Sequence, residues 1–241
     1  MGKSPVSRPE VSWVSRFSYP TGMECLRKKS VPWALGTFLL FVIFSAARIG
    51  AADLLSGYAR NEMHTWSISA AHPDVATLES VARVLGMARL IAPGNPDHYE
   101  DLARLALVRS GMPGVNDAER NDRLLEGLVL IRQAITLRPV SSYSWAALLL
   151  LKRERAEYDA EFRHALERAV TLGPWELEVQ RIVADVGMSA WAALKRAEQE
   201  MVRENFVRGM KRQATSMVSI AQSHLNDCNG ERAKLNAGCS R

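Results

Sequence analysis

The chain has little of the patterned chemistry that marks an enzyme. Its five histidines, His64, His72, His98, His164 and His224, are scattered and give no HExxH or other metal-ligand spacing. The segment "GMPGVND" at Gly111 lacks the Lys-Ser/Thr that completes a phosphate-binding loop. No nucleophile elbow is present. "HPD" at His72 and "PDH" at Pro96 each pair an acid with a histidine, but both sit at turn positions, where cap chemistry accounts for the acids. Asp74 is placed to cap the helix that begins after it. The expectation is a protein without catalytic residues, metal or cofactor. Strands are missing as well: no run alternates apolar and polar residues convincingly, so the fold class is all-α.

Cysteine is scarce. Three are present, Cys25, Cys228 and Cys239, in two places. Proline and glycine are not enriched, so most of the chain folds. The net charge of +5 is spread unevenly and gives no ground for a nucleic-acid partner. Charge is absent from "SVPWALGTFLLFVIFSAA", Ser30–Ala47, bounded by Arg27, Lys28 and Lys29 before it and Arg48 after it. Eighteen residues at about 1.5 Å each reach roughly 27 Å, close to the ~30 Å of a hydrocarbon core. Trp33 suits the near interface, and Arg48 can snorkel to the far headgroups. The reading is a single transmembrane helix. The alternatives are a buried core helix and a cleaved signal peptide, for which the n-region is long and the best site, "GAA" at Gly50, is weak.

Orientation follows from lysine and arginine. Lys3, Arg8, Arg16, Arg27, Lys28 and Lys29 precede the span; Arg48 and Arg60 follow it. The bias places the N-terminus in the cytoplasm and the rest of the chain on the far side of the membrane. The expected organisation is a disordered cytoplasmic tail over 1–29, the span over 30–50 and a linker or helix extension over 51–72. A helical-repeat domain follows over 73–187, then a capping helix over 188–225 and a disulfide-closed tail over 226–241.

From Pro73 onward apolar residues recur at three and four positions, as in Val81, Val84, Leu85, Ala88 and Leu124, Leu128, Ile131, Ile135. Three strings align: "MARLIAPGNPDHYEDLARL", "IRQAITLRPVSSYSWAALL" and "LERAVTLGPWELEVQRIVA". In each, a proline (Pro93, Pro139, Pro174) has an alanine five before it (Ala88, Ala134, Ala169). Six after it stand Tyr99, Trp145 and Gln180, so the third string loses the aromatic. The proline stops one helix, the alanine admits a close neighbour, and a large residue opens the next helix. Each hairpin leaves a face it cannot bury alone, so hairpins stack. The larger Pro93-to-Pro139 interval is assigned to a loop over Gly111–Asp122.

On Ala134, Pro139, Trp145 and Leu148, with Ala88, Pro93, Ala169 and Pro174 in register, the chain resembles the tetratricopeptide repeat family over about Pro73–Ala184. It departs at Leu149, where a glycine or alanine is usual, and at Lys152, where an aromatic is usual. The resemblance implies a helical-hairpin solenoid; an irregular helical bundle is the alternative. In whole layout the chain also resembles the VpsP-type polysaccharide biosynthesis family. The likeness is carried by the anchor, "AITLRPVSSYSWAALLLLK", "ENFVRGMKRQ" near Asn205–Gln213, and the closing cysteines. That resemblance implies a role in assembly or export of surface polysaccharide.

"SAWAALKRAEQEMVRENFVRGMKRQATSMVSIAQSHL", Ser189–Leu225, reads as one long helix or two joined near Gly209. Trp191, Leu194, Met201, Val202, Phe206 and Met210 form its core stripe. Lys195, Arg196, Arg203, Arg208, Lys211 and Arg212 face elsewhere, either as the solvated face of a cap or as a surface for an anionic glycan, lipid headgroups or an acidic partner. Cys228 and Cys239 flank "NGERAKLNAG", a turn-rich segment, and a disulfide there would contribute about 2–3 kcal/mol in an oxidising compartment; two unpaired thiols are the alternative. The expected function is a membrane-anchored scaffold acting by protein–protein interaction. Its partners would be a polysaccharide polymerase, ligase or export machinery. The alternative is binding of an anionic polysaccharide through the basic helix.

Overall fold

The computed structural model describes residues 21–69 and 73–238, with side chains over 33–66 and 73–226. The described residues form eight α-helices and no strand. They are α1 (Thr21–Ser69), α2 (Val75–Ile91), α3 (Pro96–Ser110), α4 (Asp117–Leu137), α5 (Ser142–Glu154), α6 (Ala160–Leu172), α7 (Leu177–Ser189) and α8 (Arg196–Gly238), with a 3₁₀ turn at Trp191–Ala193 before α8. Two compact units divide the chain, Met1–Ala47 and Arg48–Arg241.

The described part of the first unit is the beginning of α1. The helical stretch Trp33–Trp66 contains an 18-residue window of mean hydropathy 1.9, of which 6% is buried. Its length and composition suffice to cross a membrane. Trp33, Leu35, Phe38, Leu40, Phe41 and Phe44 all stand exposed.

The second unit starts within α1, which runs on as one helix to Ser69, so the helix extension expected over 51–72 is the form this stretch takes among the described residues. Ala52, Ser56, Ala59 and Met63 recur at helical spacing and are buried, with Met63 and Ala59 in the same core as Leu78, Val81, Leu85 and Leu105. This half of α1 belongs to the repeat unit, because the small side chains of Ala52, Ser56 and Ala59 allow the neighbouring helices to close on it. Beyond them α3 packs on α4, α5 on α6, and α7 on α8. Short turns join the members of each pair, which makes them antiparallel neighbours. The fold is the all-α helical-hairpin solenoid that the prolines suggested.

The prolines lie at the junctions between hairpins, and the three junctions agree bond for bond. The carbonyls of Ala88, Ala134 and Ala169, all 0% exposed, accept the N–H of Ala92, Arg138 and Gly173 at 2.9, 2.9 and 3.0 Å. The carbonyls of those residues then accept the N–H of Asn95, Ser141 and Glu176 at 3.1, 3.2 and 3.3 Å. The proline carbonyl that follows is left without a helical partner. Tyr99 Oη, Trp145 Nε1 and Gln180 Nε2 supply it, donating to Pro93, Pro139 and Pro174 at 3.1, 2.9 and 2.8 Å. The repeated quantity is therefore a hydrogen-bond donor, and Gln180 keeps the pattern that its lack of an aromatic ring had seemed to break. Trp145 is half-buried, edge-on to His164 at 5.2 Å. Trp145→Phe keeps the ring and deletes the donor, for an expected loss of about 1 kcal/mol. Trp145→Ala is expected to lose about 2–3 kcal/mol. Urea unfolding in detergent measures both, and equal losses would show that the bond to Pro139 contributes nothing.

Several local expectations change. The loop assigned to Gly111–Asp122 is shorter: Asn116 accepts the Glu119 N–H at 2.9 Å and starts α4 at Asp117, so half of the insertion lengthens a helix. The helix expected from Ser189 starts at Arg196, where Glu198 accepts the Lys195 N–H at 2.7 Å. Trp191 falls in the 3₁₀ turn and is 38% exposed, so it leaves the expected stripe. Val202, Asn205 and Met217 form the buried line instead, with Met201, Phe206 and Met210 half-buried. The break within α8 is at Gln213 (φ −145°, ψ 54°), four residues past Gly209. Gln213 Nε2 donates to the Leu177 carbonyl at 2.8 Å, which anchors the bend to the start of α7. Met217 folds back over Gly209, where a Cβ would stand 2.8 Å from its sulfur. The segment around Cys228, expected to be turn-rich, is helical to Gly238. The Cys228 side chain and all of Cys239 lie outside the described residues, and the expected pairing lies there with them.

Candidate interaction groove

The first members of the hairpins (α3, α5 and α7), together with the second half of α1, lie along one face of the repeat unit. A groove of about 780 Å³ opens on that face, lined by Gly57, Arg60, Asn61, Met63 and His64 from α1, Arg104 from α3, and Glu178 and Arg181 from α7. Three arginines meet one acid there. Glu178 is held by Arg181 at 3.1 Å, on one turn of the same helix. Arg104 is exposed and points no carboxylate partner into the groove among the described ion pairs.

Arg60 is fixed from beneath. Its Nε donates to Asp101 Oδ2 at 2.7 Å, and the Asp101 side chain is 5% exposed. Burial raises the Asp101 carboxyl above its ordinary range, and the Arg60 charge and hydrogen bond oppose that rise. Beside this pair, His98 is fully buried and its Nδ1 meets Ser56 Oγ at 2.8 Å. Burial, followed by the Arg60 charge, lowers the His98 pKa. His98 and Asp101 are three residues apart on α3, and Ser56 and Arg60 four apart on α1, so each pair shares a helix face. This polar layer locks α1 to α3 and holds one wall of the groove. The "PDH" motif thus supplies a core histidine, while Asp97 pairs with Arg138 at 2.5 Å. Asp74 caps α2 by accepting the Thr77 N–H at 2.7 Å.

A second polar cluster explains the departure at Lys152. Its side chain is 1% exposed, and Nζ stands 2.7 Å from Asp159, 2.8 Å from Glu161 and 3.5 Å from Glu157. Glu161 also receives both Arg132 Nε and Arg132 Nη2, at 2.8 and 2.7 Å. Where the family pattern places an aromatic between helices, this chain places a lysine stem capped by carboxylates from the α5–α6 turn and the first turn of α6. Leu149, the other departure, is fully buried beside it. A third chain runs Arg153–Asp185–His224 from α5 through α7 to α8, with His224 Nε2 and Asp185 Oδ1 at 2.9 Å.

The six cations of the basic helix do not form one patch. At 3.6 residues per turn, Arg196, Arg203 and Lys211 share a face, while Arg208 and Arg212 turn away from it. Arg203 pairs with Glu200 at 3.2 Å and Arg208 with Glu204 at 3.8 Å. Arg212 donates to the Trp175 carbonyl, and Lys195 precedes the helix. Sequence reasoning missed Arg60, Arg104 and Arg181. They lie on three helices far apart in the chain, and no spacing rule joins them. Among the described residues, no group of three or more His, Cys, Asp or Glu side chains is placed to hold a metal ion.

No family model matches the chain, and no curated protein matches it. A solved structure does. The crystal structure of a thermophilic TPR protein from Thermus thermophilus superposes with a TM-score of 0.56 at 12% identity, covering 85% of this chain and 97% of that one. At this identity the likeness speaks for the fold alone. The chain has a tetratricopeptide-like helical-repeat fold.

Proposed function

We propose that the chain is a single-span scaffold of the bacterial inner membrane. Its N-terminus is cytoplasmic, and its repeat domain stands in the periplasm and holds an acidic segment of a protein partner in the groove. It serves surface or exopolysaccharide biosynthesis and export, binding a polymerase, ligase or export component without chemistry of its own. The observation that carries this reading is the groove: α1, α3 and α7 bring Arg60, Arg104 and Arg181 to one concavity against a single paired acid. The exposed apolar beginning of α1 supports the anchor. The excess of lysine and arginine before the span supports the orientation. The resemblance of the sequence layout to the VpsP-type family is the ground for the polysaccharide role.

Crosslinking and affinity capture from the native membrane test it. The full chain should recover a polysaccharide polymerase, ligase or export component, and Arg104→Glu with Arg181→Glu should reduce that recovery about tenfold or more, since like charges across an interface repel. Both positions are exposed, so the fold should survive the change. Recovery unaffected by the double change would remove the groove from the proposal. A second reading assigns an anionic glycan to the exposed face carrying Arg196, Arg203 and Lys211. Retention on an acidic polysaccharide that weakens with salt and survives the groove change would favour it.

A further inference from the structure

The groove does not end at α7. A second cavity of about 720 Å³ adjoins it, lined by Tyr143 at the start of α5, Trp175 and Leu177 at the start of α7, and Arg212 and Gln213 at the bend in α8. Glu178 and Arg181 line both cavities, so one turn of α7 is their common wall. The second cavity is pinned from two sides. Tyr143 Oη, from α5, donates to Glu176 Oε2 at 2.6 Å. From α8, Arg212 donates to the Trp175 carbonyl, and Gln213 Nε2 donates to the Leu177 carbonyl at 2.8 Å. The backbone over 175–177 is thereby held by two other helices, while its side chains stay outside. Trp175 is 63% exposed, Leu177 43% and Tyr143 41%.

Exposed apolar side chains occur elsewhere on the repeat unit, and single ones are ordinary. These three differ in lining one cavity whose frame is fixed by hydrogen bonds from its neighbours. The charge around them has one prevailing sign. Arg60, Arg104, Arg181 and Arg212 line the two cavities against Glu176 and Glu178. Both carboxylates are engaged within the protein, Glu176 by Tyr143 and Glu178 by Arg181 at 3.1 Å. Arg212 donates to a neutral carbonyl, and neither it nor Arg104 has an ion pair among the described residues. A polar occupant alone would leave Trp175 and Leu177 in water. An apolar occupant alone would desolvate the arginines without pairing them. The lining is matched by a chain that is acidic along the arginines and apolar where the tryptophan stands. Tryptophan, tyrosine and arginine are also the residue types that concentrate binding energy at interfaces.

We propose that the second cavity is an anchor compartment of the groove: the acidic segment of the partner crosses the α7 turn of Glu178 and Arg181 and seats a large apolar side chain among Trp175, Leu177 and Tyr143. This seating extends the acidic-segment reading of the groove and rests on it. It adds the residue type that an acidic segment must carry to be held. The compartment is formed before the partner arrives, so little ordering of its walls opposes binding. Acidic segments that lack the apolar residue fill the arginine half alone and are held weakly, which is how the groove tells one acidic chain from another.

The test is the fluorescence anisotropy of labelled peptides on the full chain held in nanodiscs of neutral lipid. One peptide is a run of alternating Glu and Asp closed by a leucine at each end, so that either chain direction seats one. Its control carries alanine at both ends. The leucine peptide should bind about tenfold tighter than the alanine peptide, as burial of one further large apolar side chain gives. Trp175→Ala should erase that gain and leave the affinity for the alanine peptide unchanged. Trp175 is exposed, so the fold should tolerate the change, and Trp175→Phe should keep most of the gain. Arg104→Glu should weaken both peptides alike. Equal affinities for the two peptides, both lowered by Arg104→Glu, overturn the anchor compartment and leave the acidic groove standing. A leucine gain that survives Trp175→Ala does the same. Binding of neither peptide, or binding indifferent to Arg104→Glu, overturns the groove reading, and the anchor falls with it. An acidic oligosaccharide that binds through Trp175 while leucine adds nothing assigns the compartment to a saccharide and also overturns the proposal.

Discussion

Lys152→Ala is expected to destabilise the repeat domain by about 3 kcal/mol, at the lower end of the range for removing one partner of a buried ion pair. The lower end applies because Glu157, Glu161 and Asp159 are 33–54% exposed, although Lys152 itself is 1% exposed. Burial of the ammonium disfavours its charge, and the bonds it donates to Asp159 and Glu161 outweigh that and raise its pKa. Lys152→Met, which keeps the stem, should lose less. The same cluster sets an acid limb. The Arg132 hydrogen bonds lead in lowering the Glu161 pKa to about 2; burial opposes them and Lys152 assists. A carboxylate depressed in the folded state stabilises fully above its unfolded pKa, near 4.5, and loses that contribution as the pH falls towards 2. With a third of Glu161 exposed, solvent screening leaves a contribution of about 1–2 kcal/mol. His98 adds to acid sensitivity from nearer pH 6.5, because burial lowers its folded pKa and protonation favours the unfolded chain. The urea midpoint measured from pH 7 to pH 2.5 should drop in both windows, and in Lys152→Ala the lower drop should shrink. An unchanged midpoint in Lys152→Ala at pH 7 would mean that the carboxylates are satisfied by water.

Gly187→Val is expected to cost about 3 kcal/mol or more, at the top of the usual range for overpacking. A Cβ at Gly187 would meet Val202 Cγ2 at 2.5 Å and Cγ1 at 2.6 Å, and Val202 is 1% exposed. The clash cannot be relieved by a swinging side chain, because Val202 is stiff at χ1 and enclosed between α7 and α8. Gly187→Ala should already be destabilising, and Val202→Ala in the same chain should restore part of the loss. Thermal unfolding of the unsubstituted chain, Gly187→Ala, Val202→Ala and the double variant gives the coupling energy. Purely additive losses would show that the two helices can move apart at that point.

The fold was legible because prolines and alanines mark every junction, and their physics is local. Ala88, Ala134 and Ala169 stand where a neighbour needs room, and the prolines stop the helices beside them. The second half of α1 was less legible. Ala52, Ser56 and Ala59 are small and mixed in polarity, so their burial shows only once α2 and α3 close over them. The break at Gln213 hid for a related reason: glutamine is a good helix former, and the bend arises from a bond to Leu177 on another helix. The groove was not legible at all, since Arg60, Arg104 and Arg181 converge through stacking. The basic helix was overread, because a list of cations along a helix says nothing of the glutamates that pair with two of them.

The three proline carbonyls answered by Tyr99, Trp145 and Gln180 have a consequence for recognising such chains. A phenol, an indole and a carboxamide share no letter, volume or hydropathy, yet they do one job at one offset. A search that scores residue identity treats the third repeat as decayed. A search that asks which side chains can reach a carbonyl six positions back treats all three as intact. Helical repeats of this kind can drift until no profile recovers them while the grammar of their joints stays unbroken.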